Sequence, residues 1–269
     1  MLGFYYWSMI QIVLESLPIS SSGHLFLLEK ILNNTSQAIT SYVKIRYIHM
    51  LHGPTLLVIA VLFFQQWFRM LRSPMRYKKP LLALFILGII ADSITCLWYG
   101  LFTFIGTQWF PLPIGFFITI LILFLSYYVP RHQPSNLPFR SYRQLINAGF
   151  LLGNIQGIAL LPGISRFAIT FVLANYLGWR PQRALELSFA LQTPLICAAF
   201  IRSFYQLWRV DFFVFSICAE MMSIVIMATI IAIFALWLTR CLIMTNRFYY
   251  FAWYMLIPFF LSLFCFLNR

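Results

Sequence analysis

The chain has 269 residues and a formal net charge of +13; 62% of it is hydrophobic and only 9% charged, with a mean hydropathy of +0.85. A soluble domain averages about 25% charged residues, so the composition excludes a soluble fold and specifies an integral membrane protein. Its apolar segments are long and lack the ten-residue alternation of a membrane-spanning barrel, which makes the fold class all-α. The 19 Lys and Arg face six acids and lie mostly between apolar spans, where membrane orientation and lipid headgroups account for them. No basic face on a soluble module is left to bind nucleic acid. The cysteines, Cys96, Cys197, Cys218, Cys241 and Cys265, are scattered without a CxxC pair. They read as small packing residues, not as a disulfide frame or metal site.

In chain order, residues 4–32 are apolar but broken at Leu17-Pro18 and at Ser20-Ser21-Ser22-Gly23. Each half has about 12 residues, too short at 1.5 Å per residue to cross a hydrocarbon core of roughly 30 Å. Two short helices joined by a polar turn predict a re-entrant hairpin, which is tolerated at membrane depth only where protein or a cavity surrounds it. No basic residue precedes Lys30, and Glu15 interrupts the run, so retention is expected rather than cleavage as a signal peptide. Residues 33–44 predict an external loop and 45–66 the first span. A short loop follows with Arg69, Arg72, Arg76, Lys78 and Lys79. Residues 81–105 and 114–129 predict two more spans around an uncharged turn, and Pro130 to Arg143 a linker. A second hairpin follows at 145–178, broken at Leu161-Pro162-Gly163 and closed by Gly178-Trp179-Arg180-Pro181. Spans at 185–207, 212–238 and 248–267 complete the chain.

The pattern is thus stated twice. Residues 1–130 form a first repeat, 131–143 a cytoplasmic linker and 144–269 a second repeat. Gln11…Leu17-Pro18-Ile19-Ser20-Ser21 is echoed by Gln156…Leu161-Pro162-Gly163-Ile164-Ser165-Arg166. Three spans per half force the halves into opposite orientations. The expectation is six transmembrane helices plus two re-entrant helical hairpins in an inverted-topology repeat. Placing 67–80 in the cytoplasm puts 131–143, 179–183 and 239–247 there too. That side then holds twelve basic residues against six on the other, as the positive-inside rule prefers. Asp92 and Glu220, acids within spans, read as hydrogen-bonded interior groups.

The residues with chemistry cluster at the two breaks. Gln11 and Glu15 are four apart and share a helix face. Glu15 reads as a metal ligand or general base, against the plainer alternative of a carboxylate hydrogen-bonded between packed helices. Gln11 offers an amide oxygen to a cation or a water. Ser20, Ser21, Ser22 and Gly23 open a helix whose N-terminal N–H groups suit phosphate, and one serine is accounted for by capping. A lone histidine on an apolar helix is usually a satisfied core residue, but His24 stands where it would face a serine hydroxyl as its base. Arg166 follows Gly163 and Ser165 at the opening of another helix, and its planar fork suits phosphate oxygens. Two such turns meeting tip to tip fit phosphoryl transfer by positioning and electrostatics.

Glu15-Ser-Leu-Pro-Ile-Ser-Ser-Ser-Gly-His24 and Pro162-Gly-Ile-Ser-Arg166-Phe-Ala-Ile-Thr170 resemble the two signature motifs of the undecaprenyl-diphosphatase family, the bacitracin-resistance type of membrane phosphatase. His52-Gly-Pro-Thr-Leu-Leu57, Ser141-Tyr-Arg-Gln144 and Glu186-Leu-Ser-Phe-Ala-Leu-Gln-Thr-Pro194 resemble further segments of it in the same order. The resemblance implies removal of the terminal phosphate of undecaprenyl diphosphate to recycle the lipid carrier of cell-wall synthesis. It also implies a divalent cation (Mg2+ or Ca2+), a bacterial inner membrane, a site opening to the periplasm and a homodimer. The alternatives are a polyprenyl-phosphate transporter and a catalytically weakened homologue. Carried over by residue, Glu15, Ser21, His24 and Arg166 are the catalytic set, with Ser21 on the proposed nucleophile. Ser20, Ser22, Gly23, Gly163, Ser165, Arg166 and Thr170 hold phosphate, and Glu15 and Gln11 hold the metal. The chain departs from the family pattern at Gln11, Pro54, Asp92, Phe167 and Ile169.

Overall fold

The computed structural model describes residues 2–32, 52–72, 74–107, 109–128, 141–208 and 213–268. The expected loop at 33–44 lies outside them, as do residues 45–51 of the first span, residue 129 of the third and 130–140 of the linker. Ten helices run through the described residues: α1 (Leu2–Glu15), α2 (Ser21–Leu32), α3 (His52–Arg72), α4 (Pro74–Ile105), α5 (Leu112–Tyr128), α6 (Tyr142–Ile158), α7 (Arg166–Tyr176), α8 (Pro181–Trp208), α9 (Phe213–Met244) and α10 (Tyr250–Leu267). The protein is an all-α integral membrane protein. Among the described residues, four segments are long and apolar enough to cross a membrane by length and composition: Leu82–Ile105, Pro181–Tyr205, Val225–Met244 and Tyr250–Leu267. His52–Val61 and Leu112–Tyr128 are shorter apolar segments. Large apolar side chains such as Leu97, Phe104, Phe150 and Phe264 face outward, as expected when the solvent is lipid rather than water.

One expected loop is helical instead in its described residues, and a second is helical in its first part. Arg69 and Arg72 lie in the last turns of α3, and Arg76, Lys78 and Lys79 in the first turns of α4. Arg, Met and Lys are good helix formers, and Pro74 sits at a first helical position, where its missing N–H costs nothing. Arg240 likewise belongs to α9, which ends only at Met244. Of the linker, Tyr142 and Arg143 open α6, capped by Ser141, whose hydroxyl accepts from the Gln144 amide.

The helices pack in a pattern of exchanged pairs. α1 packs on α9 and α6 on α4; α2 packs on α10 and α7 on α5; α3 packs on α9 and α8 on α4. Relabelling α1–α5 as α6–α10 turns each of these pairs into its companion. The α5–α10 and α3–α8 pairs map onto themselves.

The most extensive pairing, α4 with α6, is made by small residues facing backbone. A Cβ built on Gly153 would stand 2.6 Å from the Ala91 carbonyl oxygen, and Gly157 lies directly against Trp98. Close approach of this kind drives association where lipid removes the hydrophobic advantage. Polar bonds cross the same interface, from Thr95 Oγ1 to the Gly153 carbonyl at 3.3 Å and from Trp98 Nε1 to Asn154 Oδ1 at 3.1 Å. Gly153→Ala is expected to lower stability by about 1–3 kcal/mol through overpacking. Gly88→Ala and Gly100→Ala, whose Cβ atoms meet nothing within 4 Å, are expected to be neutral or slightly stabilising. Thermal unfolding of the three variants in detergent checks this.

Candidate active site

Each hairpin turn is built by a serine cap. In the first, α1 ends at Glu15, the chain turns through Ser16–Ile19, and Ser20 Oγ accepts from the Gly23 amide at 3.2 Å. In the second, Ser165 Oγ accepts from the Ala168 amide at 3.3 Å. The two caps stand in equivalent places, so Ser21 and Arg166 are each the first residue of the helix that follows. Each helix therefore presents N–H groups and the positive end of its dipole at its turn. Gly163 has φ +89°, a conformation that glycine adopts without strain. Thr119 of α5 holds this turn from outside. Its hydroxyl accepts from the Ser165 amide at 3.0 Å and lies 2.8 Å from the Gly163 carbonyl oxygen.

The two turns meet. A Cβ on Gly23 would lie 2.8 Å from Gly163 Cα and 2.8 Å from the Phe116 ring, so the hairpin tips touch backbone to backbone. Behind them lies a polar cluster from three helices. Glu15 Oε2 accepts from Gln11 Nε2 at 3.1 Å and pairs with His52 Nδ1 at 2.7 Å. The half-buried Arg166 interacts electrostatically with the Glu15 carboxylate, which links second hairpin to first. Gln11 Oε1 and Thr55 Oγ1 are buried and make no hydrogen bond among the described residues.

His24 does not pair with a serine hydroxyl. Its Nδ1 lies 2.6 Å from the Ser20 carbonyl oxygen and its Nε2 3.3 Å from the Tyr254 hydroxyl. A carbonyl only accepts, so Nδ1 carries the proton and Nε2 accepts from Tyr254. The ring is held between Phe116, edge-on at 5.4 Å, and Tyr254, stacked at 5.8 Å.

The remaining candidates divide. Ser21 is half-buried, with no hydrogen bond among the described residues, while Ser22 is exposed and 3.3 Å from Ser20 Oγ. The Ser20 and Ser165 hydroxyls are spent as caps, and Thr170 Oγ1 donates to the Arg166 carbonyl at 2.7 Å. Phe167 points away from the tip into an aromatic cluster, 4.7 Å from Phe189 and 6.1 Å from Phe248. Its departure from the motif is a matter of packing. Pro54 falls in the first turn of α3, where no intrahelical donor is required. His52, Tyr254 and Thr119 were missed as site residues. The first was visible as a histidine opening an apolar span, whereas nothing in sequence marks the other two.

Among the described residues no group of three or more His, Cys, Asp and Glu side chains is placed to hold a metal. Glu15 and the unpartnered Gln11 oxygen, one turn apart, are oxygen donors of the kind a hard cation would take.

Fold and site together define a helical membrane protein that gathers two helix N-termini, an arginine and a carboxylate between two hairpin tips. The chain belongs to the family described as bacitracin resistance protein BacA, which it matches over residues 5–259. Relatives named undecaprenyl-diphosphatase include one from Borrelia hermsii, 28% identical over 259 residues covering 92% of each chain. Another, from Borrelia recurrentis, is 29% identical over 262 residues and 91% of each chain. A third, from Halothermothrix orenii, is 30% identical over 198 residues, covering 71% of this chain and 69% of its own.

Thr119→Val removes the hydroxyl that serves both sides of the second turn. It is expected to cost about 1–3 kcal/mol for each buried group left unpaired, read by thermal unfolding. Thr119→Ser is expected to retain most of the stability.

Proposed function

We propose that this chain hydrolyses undecaprenyl diphosphate to the monophosphate and inorganic phosphate, recycling the carrier lipid of cell-wall synthesis. Membership of the BacA family and the names of the relatives support cleavage over transport. The observation that carries the reading is the contact of the two capped helix starts at Gly23 and Gly163, with Arg166 coupled to Glu15 beside them.

In this reading the diphosphate lies against the N-termini of α2 and α7. Arg166 grips its oxygens and stabilises the charge that develops as the anhydride bond breaks. Ser21, at the first position of α2 with its hydroxyl unengaged, or a water in its place, attacks the outer phosphorus and gives its proton to Glu15 or His24. The anhydride bond breaks and undecaprenyl monophosphate leaves; a phosphoserine, if Ser21 attacks, is then hydrolysed by water to release phosphate. His24 is held in one tautomer by the Ser20 carbonyl, so its basic nitrogen is Nε2, the side shared with Tyr254. Glu15 is oriented by His52 and Gln11. Together with the Gln11 oxygen it would hold Mg2+ or Ca2+, which when bound supplies positive charge to the phosphate oxygens. The packing exchange between α1–α5 and α6–α10 supports two inverted repeats with re-entrant hairpins 4–32 and 145–178. The twelve-to-six basic bias supports a site opening to the periplasmic face of the bacterial inner membrane. A homodimer belongs to the same proposal.

Purified protein given undecaprenyl diphosphate with Mg2+ or Ca2+ is expected to release phosphate, and EDTA to stop it. Arg166→Ala is expected to lower kcat by about 10²–10³. Ser21→Ala is expected to abolish turnover if the serine attacks and to spare most of it if water does. No release with either cation sinks the hydrolase reading, and release unaffected by Arg166→Ala sinks the site.

A further inference from the structure

The second hairpin contains a polar pair that the phosphate site does not use. Gln156 of α6 is fully buried, 145 residues after Gln11 and in the same place relative to its serine cap. Its Nε2 donates to the Leu191 carbonyl of α8 at 3.2 Å, and its side-chain amide lies within interaction range of the carboxylate of Asp92, on the membrane-length segment of α4. Sequence reading expected Asp92 to be a hydrogen-bonded interior acid, and Gln156 is its partner; the side chain of Glu220 lies outside the described residues. The contact with Gln156 does not complete the pair. Asp92 Oδ1 and Gln156 Oε1 are both buried, and neither has a partner among the described residues.

The two glutamines solve the same problem differently. Gln11 finds its carboxylate one turn later on its own helix, at Glu15. One turn after Gln156 stands Leu160, and the acid comes across the interface from α4. Each glutamine is buried with its amide oxygen unengaged. The first carboxylate has His52 and Arg166 as cationic or ionisable neighbours. Asp92 has none. Its neighbours α3, α6 and α8 add no charged contact to it among the described residues. On those helices His52 is taken by Glu15, Arg183 by Glu186 and Arg202 by the Tyr99 hydroxyl, while Arg72 and Arg143 are exposed.

A carboxylate at membrane depth without a counter-charge is costly. Two idle oxygens and one negative charge call for one positive charge of small radius. A divalent ion would leave the pocket with an excess charge of its own.

We propose that Asp92 and Gln156 form a second oxygen-donor site, separate from the phosphate site, that binds one monovalent cation, a sodium ion or a proton. The bound ion neutralises Asp92 and closes α4 onto α6. Because α6 leads directly into the turn that carries Gly163 and Arg166, occupancy steadies the second hairpin tip.

The test is thermal unfolding of the full chain in detergent without lipid substrate, so it reads out whether or not the protein hydrolyses undecaprenyl diphosphate. Sodium chloride is titrated against choline chloride at constant ionic strength, and pH is varied in choline alone. If sodium is the ligand, the wild-type midpoint rises with sodium and saturates. If a proton is, sodium has no specific effect and the midpoint rises as pH falls. In either case Asp92→Asn, already neutral, loses the response. Gln156→Leu keeps the acid but removes a ligand, so the half-saturating sodium concentration is expected to rise, or the proton response to shift, by about tenfold. Identical responses in wild type and Asp92→Asn overturn the proposal. Should Asp92→Asn fail to fold, an unshifted response in Gln156→Leu overturns it instead.

Discussion

Everything at the centre of this protein depends on two backbones touching where Gly23 meets Gly163. Side chains of ordinary size would hold the tips apart and leave two half-sites, each with a capped helix start and an incomplete set of charges. Contact brings the α2 and α7 N-termini to one place and lets Arg166 feel Glu15 from the opposite hairpin. Polar groups among apolar helices are costly unless partnered, and here each turn packs against the other.

The supporting layer shows the same economy. Ser20 and Ser165 spend their hydroxyls on capping, and Thr170 and Thr119 spend theirs on backbone carbonyls. Of the hydroxyls the sequence collects at the two breaks, Ser21 is the one left half-buried and unengaged. Glu15 is gripped by Gln11 and His52, which fixes one of its oxygens in a single direction. Two of the departures from the family motif fall where packing absorbs them: Phe167 joins the rings of Phe189 and Phe248, and Gly53 beside Pro54 receives Phe200.

The breaks in the two hairpins were legible in sequence because Pro, Gly and Ser interrupt apolar runs too short to span. So was the pairing of Gln11 with Glu15, which needs only helical spacing. The Glu15–His52 pair joins residues 37 apart, and the His24–Tyr254 contact joins residues 230 apart. Neither leaves a local pattern, since both depend on how α3 and α10 dock. His24 was misread for a related reason. Spacing on its own helix suggested a serine hydroxyl, but the carbonyl of the capping residue lies nearer. The basic stretch after the first span was read as loop from its charge, although its residues favour helix and Pro74 starts one.

α5 reaches both tips at once. Phe116 lies against Gly23 and His24, and one turn later Thr119 is bonded to the peptide groups of Gly163 and Ser165. The helix therefore acts as a gauge block. Should α5 tilt or slide along α10, both tips travel with it in the same direction and the contact between them is preserved. The spacing that a diphosphate would meet is set from one helix, by Phe116 against the first tip and by Gly115, packed on Pro162 and Gly163, together with Thr119 against the second.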